Sequence, residues 1–424
     1  MSSGEISLGE RLNSSQLKSF AIKGLFGFKD IKSNFDKEAL ILIAENGAGK
    51  TTILNILYYS ISCQFHKLSA IDFQSVVLKF ASGDSVEIKK SDLPSFNKRD
   101  RRDVELSLLL WRSLNKEAGK TEETEETDKT DKTDEINKIK TTIKQNLNKS
   151  ILYFPTYRRI EEDLKSLGYE ENRFEQLVFG DREGKLIQFG MNDVSDKLDE
   201  IKTTIKNSAL NLFSKVTGEI LTQFVESKPI TKEMRNSIKP DTLSIVLSRV
   251  GEENISLSDR QKIEQLVSTE EINSPQHDQL VYFLLKLVDL YEQQKEKDKS
   301  INQFAIVCNK YLNQKRIVYD EANVEISILQ TRDNSPIDLK NLSSGEKQII
   351  SLFSKIYLES SEDFILFFDE PELSLSIEWQ RMLLPDILKS GKCKLLLAAT
   401  HSPFIFDNEL DFNAHDLDTF VQER

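Results

Sequence analysis

Residues 44–52 read Ala-Glu-Asn-Gly-Ala-Gly-Lys-Thr-Thr, and the flanks on both sides give the stretch its meaning. Upstream, Ala39 to Ala44 is a short continuous apolar run, the pattern of a buried strand. Downstream, Ile53, Leu54, Ile56, Leu57 and Ile61 recur at helical spacing. A glycine-rich loop between a strand and a helix can cradle phosphates, because successive backbone N–H groups turn inward around the oxygens. The positive N-terminal end of the following helix points the same way. Gly47 and Gly49 supply the turns, Lys50 the charge for the β- and γ-phosphates, and Thr51 a hydroxyl for Mg²⁺. Glu45, Asn46, Gly47, Ala48, Gly49, Lys50, Thr51 and Thr52 are therefore the candidate nucleotide-binding residues, with ATP and Mg²⁺ as the expected cofactors. Ala44 departs from the strict pattern, which has a first glycine there.

Three further blocks, far apart in sequence, supply what such a loop lacks. Phe364-Ile-Leu-Phe-Phe-Asp369-Glu370-Pro371 is an apolar strand ending in two carboxylates. Asp369 suits a second Mg²⁺ ligand, and Glu370 a base that polarises the attacking water. Leu395-Leu-Leu-Ala-Ala-Thr-His401 is another buried-strand pattern, ending where a γ-phosphate sensor is needed. Leu342-Ser343-Ser344-Gly345-Glu346 opens an amphipathic helix with Ile349, Ile350, Phe353, Ile356 and Tyr357 on one side. Each block also has a plainer reading: an acidic turn, a structural histidine, a helix cap. Their occurrence in one chain and in this order favours a common ATP site, with Glu370 and His401 as catalytic candidates.

The rest of the chain sets bounds. A formal charge of −12 argues against a surface that binds nucleic acid as a whole, while leaving room for a local basic groove. Cys63, Cys308 and Cys393 share no metal-like spacing, and no stretch approaches the roughly 20 apolar residues that span a bilayer. Met1 to Glu10 lacks the apolar core of a secretory signal, so a reducing cytoplasm is the expected compartment, without membrane contact. His66, His277 and His415 are isolated and form no nuclease-like cluster.

The expected organisation is an N-terminal lobe with the glycine-rich loop over 1–115, an acidic low-complexity segment and helix over 116–150, and a return to the nucleotide lobe over 151–192. A helical insertion over 193–317 and a C-terminal lobe over 318–424 complete it. Within these, Leu17 to Leu42 reads as two or three strands, Val76 to Lys90 as a hairpin about Ser82-Gly-Asp84, and Val318 to Leu329 as strand. Val104 to Leu114 has a helical pattern. Lys116 to Glu135 has almost no apolar residue to offset its ordering entropy and is expected to stay mobile. In the insertion, Ile201, Ile205, Leu210, Leu212 and Phe213 make one apolar face, and Val281, Leu284, Leu285, Leu287, Val288 and Tyr291 another.

Taken together, the four motifs resemble those of ABC-type ATPases. The resemblance implies an α/β fold: an ABC-type ATPase head with a mixed sheet core and P-loop, plus a helical, short coiled-coil-like insertion. It further implies that two heads sandwich two ATP molecules. Ser343, Ser344, Gly345 and Glu346 would then act in trans as the signature, with Ser374 and Leu375 in the D-loop at the seam. Ser344 and Glu346 depart from the usual Leu-Ser-Gly-Gly-Gln. Most of the chain separates Lys50 from Ser343, longer than in transporter subunits and similar to the SMC, RecF and OLD-like group.

Tyr153-Phe-Pro-Thr-Tyr-Arg-Arg-Ile-Glu161 resembles a segment of bacterial OLD-like and phage-defence ATPases. Arg158 and Arg159 could contact nucleotide, DNA or a partner, or pair with Glu161 and Glu162. With few residues after His401, a C-terminal TOPRIM nuclease is not expected on this chain. The resemblance thus suggests an anti-phage regulatory subunit of PARIS type, or of Septu type. It would form a homo-oligomer through its heads, restrain a separate nuclease or toxin effector and respond to a phage-encoded trigger, with nucleic acid as an open partner. A RecF-like DNA-repair or DNA-tethering ATPase is the alternative.

Overall fold

The computed structural model describes residues 8–45, 47–93, 127–155, 194–208, 218, 230–359 and 363–423. It divides into two compact units, Met1–Ile187 with Glu362–Arg424, and Gln188–Ser361.

The first unit is built on two five-stranded sheets. One is wholly parallel, in the order β11-β3-β10-β9-β6. Its strands are β3 (Ala39–Ile43), β6 (Ser150–Phe154), β9 (Phe364–Asp369), β10 (Cys393–Thr400) and β11 (Ala414–Asp416). Parallel strands packed on both faces must be apolar throughout, and every residue of β9, Phe-Ile-Leu-Phe-Phe-Asp, is buried. The other sheet is antiparallel, in the order β12-β2-β1-β4-β5. It comprises β1 (Leu17–Leu25), β2 (Lys29–Asn34), β4 (Ser75–Phe80), β5 (Ser85–Lys89) and β12 (Val421–Glu423). The mixed α/β fold is therefore present, its parallel and antiparallel strands gathered in separate sheets.

Helix α1 (Lys50–Ile61) joins the two. Ile53, Leu54, Ile56, Leu57 and Ile61 share one core with Leu40, Leu42, Phe367 and Leu397 of the parallel sheet and with Phe20, Ile22, Val76 and Leu78 of the antiparallel one. Residues 17–42 form three strands, and the hairpin turns at 81–84 as the sequence indicates.

Helix α2 (Thr127–Asn146) begins inside the acidic stretch expected to lack structure. Ile136, Ile139 and Ile143 are spaced to face one side, and they pack on the same core. That anchor supports a helix whose upstream composition alone would not. The reading of 104–114 as helix lies outside the described residues, as do residues 116–126 and 156–162.

The second unit holds the insertion. Helices α3 (Pro240–Val250), α4 (Leu257–Ser268) and α5 (Asp278–Asn309) bury Leu243, Leu247, Val281, Leu284, Leu287 and Tyr291 in a core of their own. Ile205 of the helical stretch 194–208 packs with Ile301 and Val324, while 209–217 lies outside the described residues. Val318 to Leu329 is two strands, not one: β7 (Lys315–Asp320) and β8 (Glu325–Gln330) form an antiparallel hairpin. Asp320 breaks the run, its carboxylate accepting the Ala322 and Asn323 N–H groups at 3.0 Å each.

A buried polar cluster ties this hairpin to the helices. Arg249 donates to Asp298 at 2.7 Å, to Gln294 at 3.1 Å and to the Glu321 carbonyl at 2.9 Å. Helix α6 (Ser344–Ser354) follows, continued by a π-helical turn at Lys355–Glu359. In the first unit, α7 (Ile377–Lys389) buries Leu383, Leu384, Ile387 and Leu388. No helix among the described residues is long and apolar enough to cross a membrane.

Candidate functional site

Parallel register brings three loops to one edge of the first unit. Ile43 pairs with Thr400 and Ala399 with Asp369, so β3, β10 and β9 end level and side by side. The loops that leave their C-terminal ends carry the glycine-rich segment, Glu370 and His401. Crevices beyond the carboxyl ends of parallel strands are where such sheets take ligands.

Gly47 and Gly49 have φ of +87° and +97°, a region side chains disfavour, and this lets the loop wrap tightly into α1. Nothing lies within 4 Å of where a Gly47 Cβ would sit. Lys50 is the first residue of α1 and is buried. Its ammonium donates back to the Ala44 carbonyl and to the Glu45 carbonyl, the latter at 3.0 Å. Ala48 N–H donates to the Glu45 carbonyl at 3.3 Å, closing the loop. Glu45 and Gly47 are exposed, while Ala48, Gly49, Thr51 and Thr52 are half-buried. Asn46 lies outside the described residues.

Thr51 Oγ1 donates to Asp369 Oδ2 at 2.8 Å, a contact between residues 318 positions apart. It joins the first turn of α1 to the end of β9. Asp369 is fully buried. A hydroxyl and a carboxylate side by side are the hard oxygen donors that suit Mg²⁺, so these two residues fit the expected ion. Glu370, the next residue, has φ of +48° and donates its N–H to the Ala399 carbonyl at 2.8 Å. Burial, then the nearby Asp369 and Glu372 carboxylates, push its carboxyl above the ordinary 4.5, against the pull of His401 and Lys50.

Sequence reasoning passed over Glu372, which the structure places at the centre of the site. Its Oε1 accepts the His401 N–H at 3.0 Å and lies 2.9 Å from His401 Nδ1. Its Oε2 accepts the Thr400 hydroxyl at 2.8 Å. The carboxylate is buried while the imidazole is half exposed, so Glu372 presents His401 from below. The available signal was the second glutamate of Asp-Glu-Pro-Glu.

Gln380 of α7 was also missed. It accepts the Ser402 hydroxyl at 2.6 Å and donates to the Leu375 carbonyl at 3.0 Å, bracing the loop after β10 against the segment before α7. In that segment Ser374 is exposed with φ of +61°, and Leu375 is buried. Phe26, half exposed at φ +53°, approaches to 3.5 Å of where a Gly49 Cβ would stand. It sets an aromatic surface beside the loop.

The fourth motif lies in the second unit. Ser343 caps α6: its hydroxyl accepts the Glu346 N–H at 3.3 Å, and Glu346 Oε2 accepts the Ser343 N–H at 2.8 Å. This reciprocal pair is a capping box. Ser343 and Ser344 are exposed and Gly345 and Glu346 buried, while the cap turns the Ser343 hydroxyl back onto the helix.

A family model described as AAA ATPase domain matches residues 16–406. The chain belongs to that family. The matched span of this AAA ATPase domain runs through both units and includes the insertion. No curated protein matches the chain. Among solved structures, an SMC head bound to the C-winged helix domain of ScpA is 11% identical. It covers 92% of this chain and 90% of its own, with a TM-score of 0.35. An SMC head domain with an extended coiled coil, bound to the C-terminal domain of ScpA from Pyrococcus furiosus, is likewise 11% identical. There the coverage is 96% and 95% and the TM-score 0.38.

Proposed function

We propose that this AAA ATPase domain is the ATP-hydrolysing regulatory subunit of an anti-phage complex. Two copies close head to head around MgATP, and the closed state governs a separate nuclease effector. The observation that supports the ATP chemistry is the Thr51–Asp369 hydrogen bond, which joins the first turn of α1 to the strand end that carries Glu370.

Each residue then has a task. The Lys50 ammonium exchanges the Ala44 and Glu45 carbonyls for β- and γ-phosphate oxygens, while backbone N–H groups of 45–52 cradle the rest. Thr51 and Asp369 hold Mg²⁺, which when bound offsets charge on the β- and γ-phosphates. The Glu370 carboxylate accepts a proton from the water that attacks the γ-phosphorus. His401, fixed by Glu372, donates to a γ-phosphate oxygen. Phe26 offers an apolar face to the base. Ser343, Ser344, Gly345 and Glu346 of the second copy approach the γ-phosphate, and Ser374 and Leu375 lie at the seam.

Glu370→Gln tests the base. Phosphate release should fall by about 10²- to 10⁴-fold while ATP binding persists and an ATP-dependent dimer accumulates in sedimentation. Unchanged hydrolysis would remove Glu370 from that role.

The defence role rests on the resemblance of Tyr153 to Glu161 to phage-defence ATPases, and regulation of this kind requires a trigger that favours one ATP-linked state. Purification of the tagged chain from its native operon with ATP present, followed by mass spectrometry, tests it. A stoichiometric nuclease supports the reading. A dimer carrying DNA instead moves the assignment to a RecF-like repair ATPase.

A further inference from the structure

Glu346 departs from the glutamine usual at the fifth signature position, and a carboxylate there faces a difficulty. If Ser343 and Gly345 approach a γ-phosphate, a bare negative charge one turn inside the helix repels it. The structure contains the remedy. Lys315, the first residue of β7, places its ammonium 2.9 Å from Glu346 Oε1 and 2.8 Å from Oε2. The carboxylate is 7% exposed and the lysine side chain 25%. Glu346 Oε2 also accepts the Ser343 hydroxyl at 2.9 Å. Lysine, carboxylate and signature serine thus form one chain of hydrogen bonds. Four residues before Lys315, the buried Tyr311 packs on Phe353 of α6 with ring centroids 5.6 Å apart, holding the segment in register with the signature helix.

We propose that Lys315 is a positioning residue for the signature. It neutralises Glu346 and holds it on the Ser343 cap, so that an acidic signature accepts the ATP phosphates of a second copy. This rests on the reading of residues 343–346 as acting in trans. Lysine and glutamate form a unit: the lysine is needed because the glutamate is there, and a glutamine at 346 makes it dispensable.

The test is a double-mutant cycle in the Glu370→Gln background, with the dimer dissociation constant at saturating ATP measured by sedimentation. Lys315→Met keeps the aliphatic stem and removes the charge. It should weaken ATP-dependent dimerisation about tenfold or more. Lys315→Arg should stay near the parent. Glu346→Gln combined with Lys315→Met should restore the constant to within about threefold of the parent. An unchanged constant for Lys315→Met overturns the proposal. So does weakening that Glu346→Gln fails to relieve, because a structural ion pair lost with either partner would behave that way. Ser343→Arg in the same background separates the two levels. If it leaves dimerisation intact, the in-trans reading falls and the proposal with it. If it abolishes dimerisation while Lys315→Met does nothing, only the proposal falls.

Discussion

The two units hold their motif residues in place by different means. In the first, position comes from the backbone. Three parallel strands end level, two glycines turn the loop, and Lys50, Asp369 and Glu370 sit where a buried sheet leaves them. In the second, position comes from side chains. A capping box and a lysine hold a helix end whose own backbone is ordinary, and a buried arginine cluster ties the β7–β8 hairpin to the helices. Backbone placement is robust to substitution nearby and fails only at the reacting groups. Side-chain placement should fail wherever one partner is removed.

The largest expected effect breaks the first unit at its charge. Lys50→Ala should leave no measurable ATP binding by calorimetry, with the unfolding midpoint nearly unmoved, since the loop is shaped by Gly47 and Gly49. Residual binding within about tenfold of the parent would show that backbone N–H groups suffice.

The second unit should break differently. Arg249→Met leaves Asp298, which is 1% exposed, buried without its cation. Denaturant unfolding should show a loss of about 3–5 kcal/mol, while ATP affinity changes little. A loss of ATP affinity with unchanged stability would reverse the contrast.

A smaller effect tests whether the first unit also depends on side chains. Glu372→Gln should lower turnover about tenfold at unchanged ATP affinity, and a His401→Ala change added to it should cost little more, because the two act together. Additive losses would separate Glu372 from His401.

The smallest is a pH effect in the second unit. Glu346 lies below the ordinary 4.5: burial raises it, but the Lys315 ammonium and the Ser343 N–H outweigh that. A depressed carboxyl stabilises the fold above its unfolded value and loses that contribution as pH falls through the folded one. The stability gap between parent and Glu346→Gln at neutrality should close as pH drops below 4.5. A gap constant with pH would sink the linkage.

The same contrast explains what could be read from sequence. Lys50, Thr51, Asp369 and His401 were legible because backbone-placed sites demand fixed residue types beside apolar runs. Lys315, Glu372 and Gln380 were not, since each acquires its role from a neighbour distant in sequence or from which way one carboxylate turns. The break in Val318–Leu329 was hidden because β7 and β8 are both apolar enough to read as one strand; only Asp320 and Asn323 marked the turn. The helix start at Thr127 escaped because charged, threonine-rich sequence favours no element by itself, and its anchor at Ile136, Ile139 and Ile143 lies downstream.

Glu370 and Ser374, at φ +48° and +61°, are both left-handed within a five-residue span. For residues with a Cβ that conformation costs on the order of 1–2 kcal/mol each, and glycine would relieve it. A laboratory selection for heat tolerance would therefore drift toward glycine at both sites. It would return a protein that melts higher and, on the role proposed for Glu370, lacks its base. Thermal robustness is thus the wrong trait by which to breed or rank variants of this chain, and on the role proposed for Glu370 a copy with glycine at 370 is expected to bind ATP without turning it over.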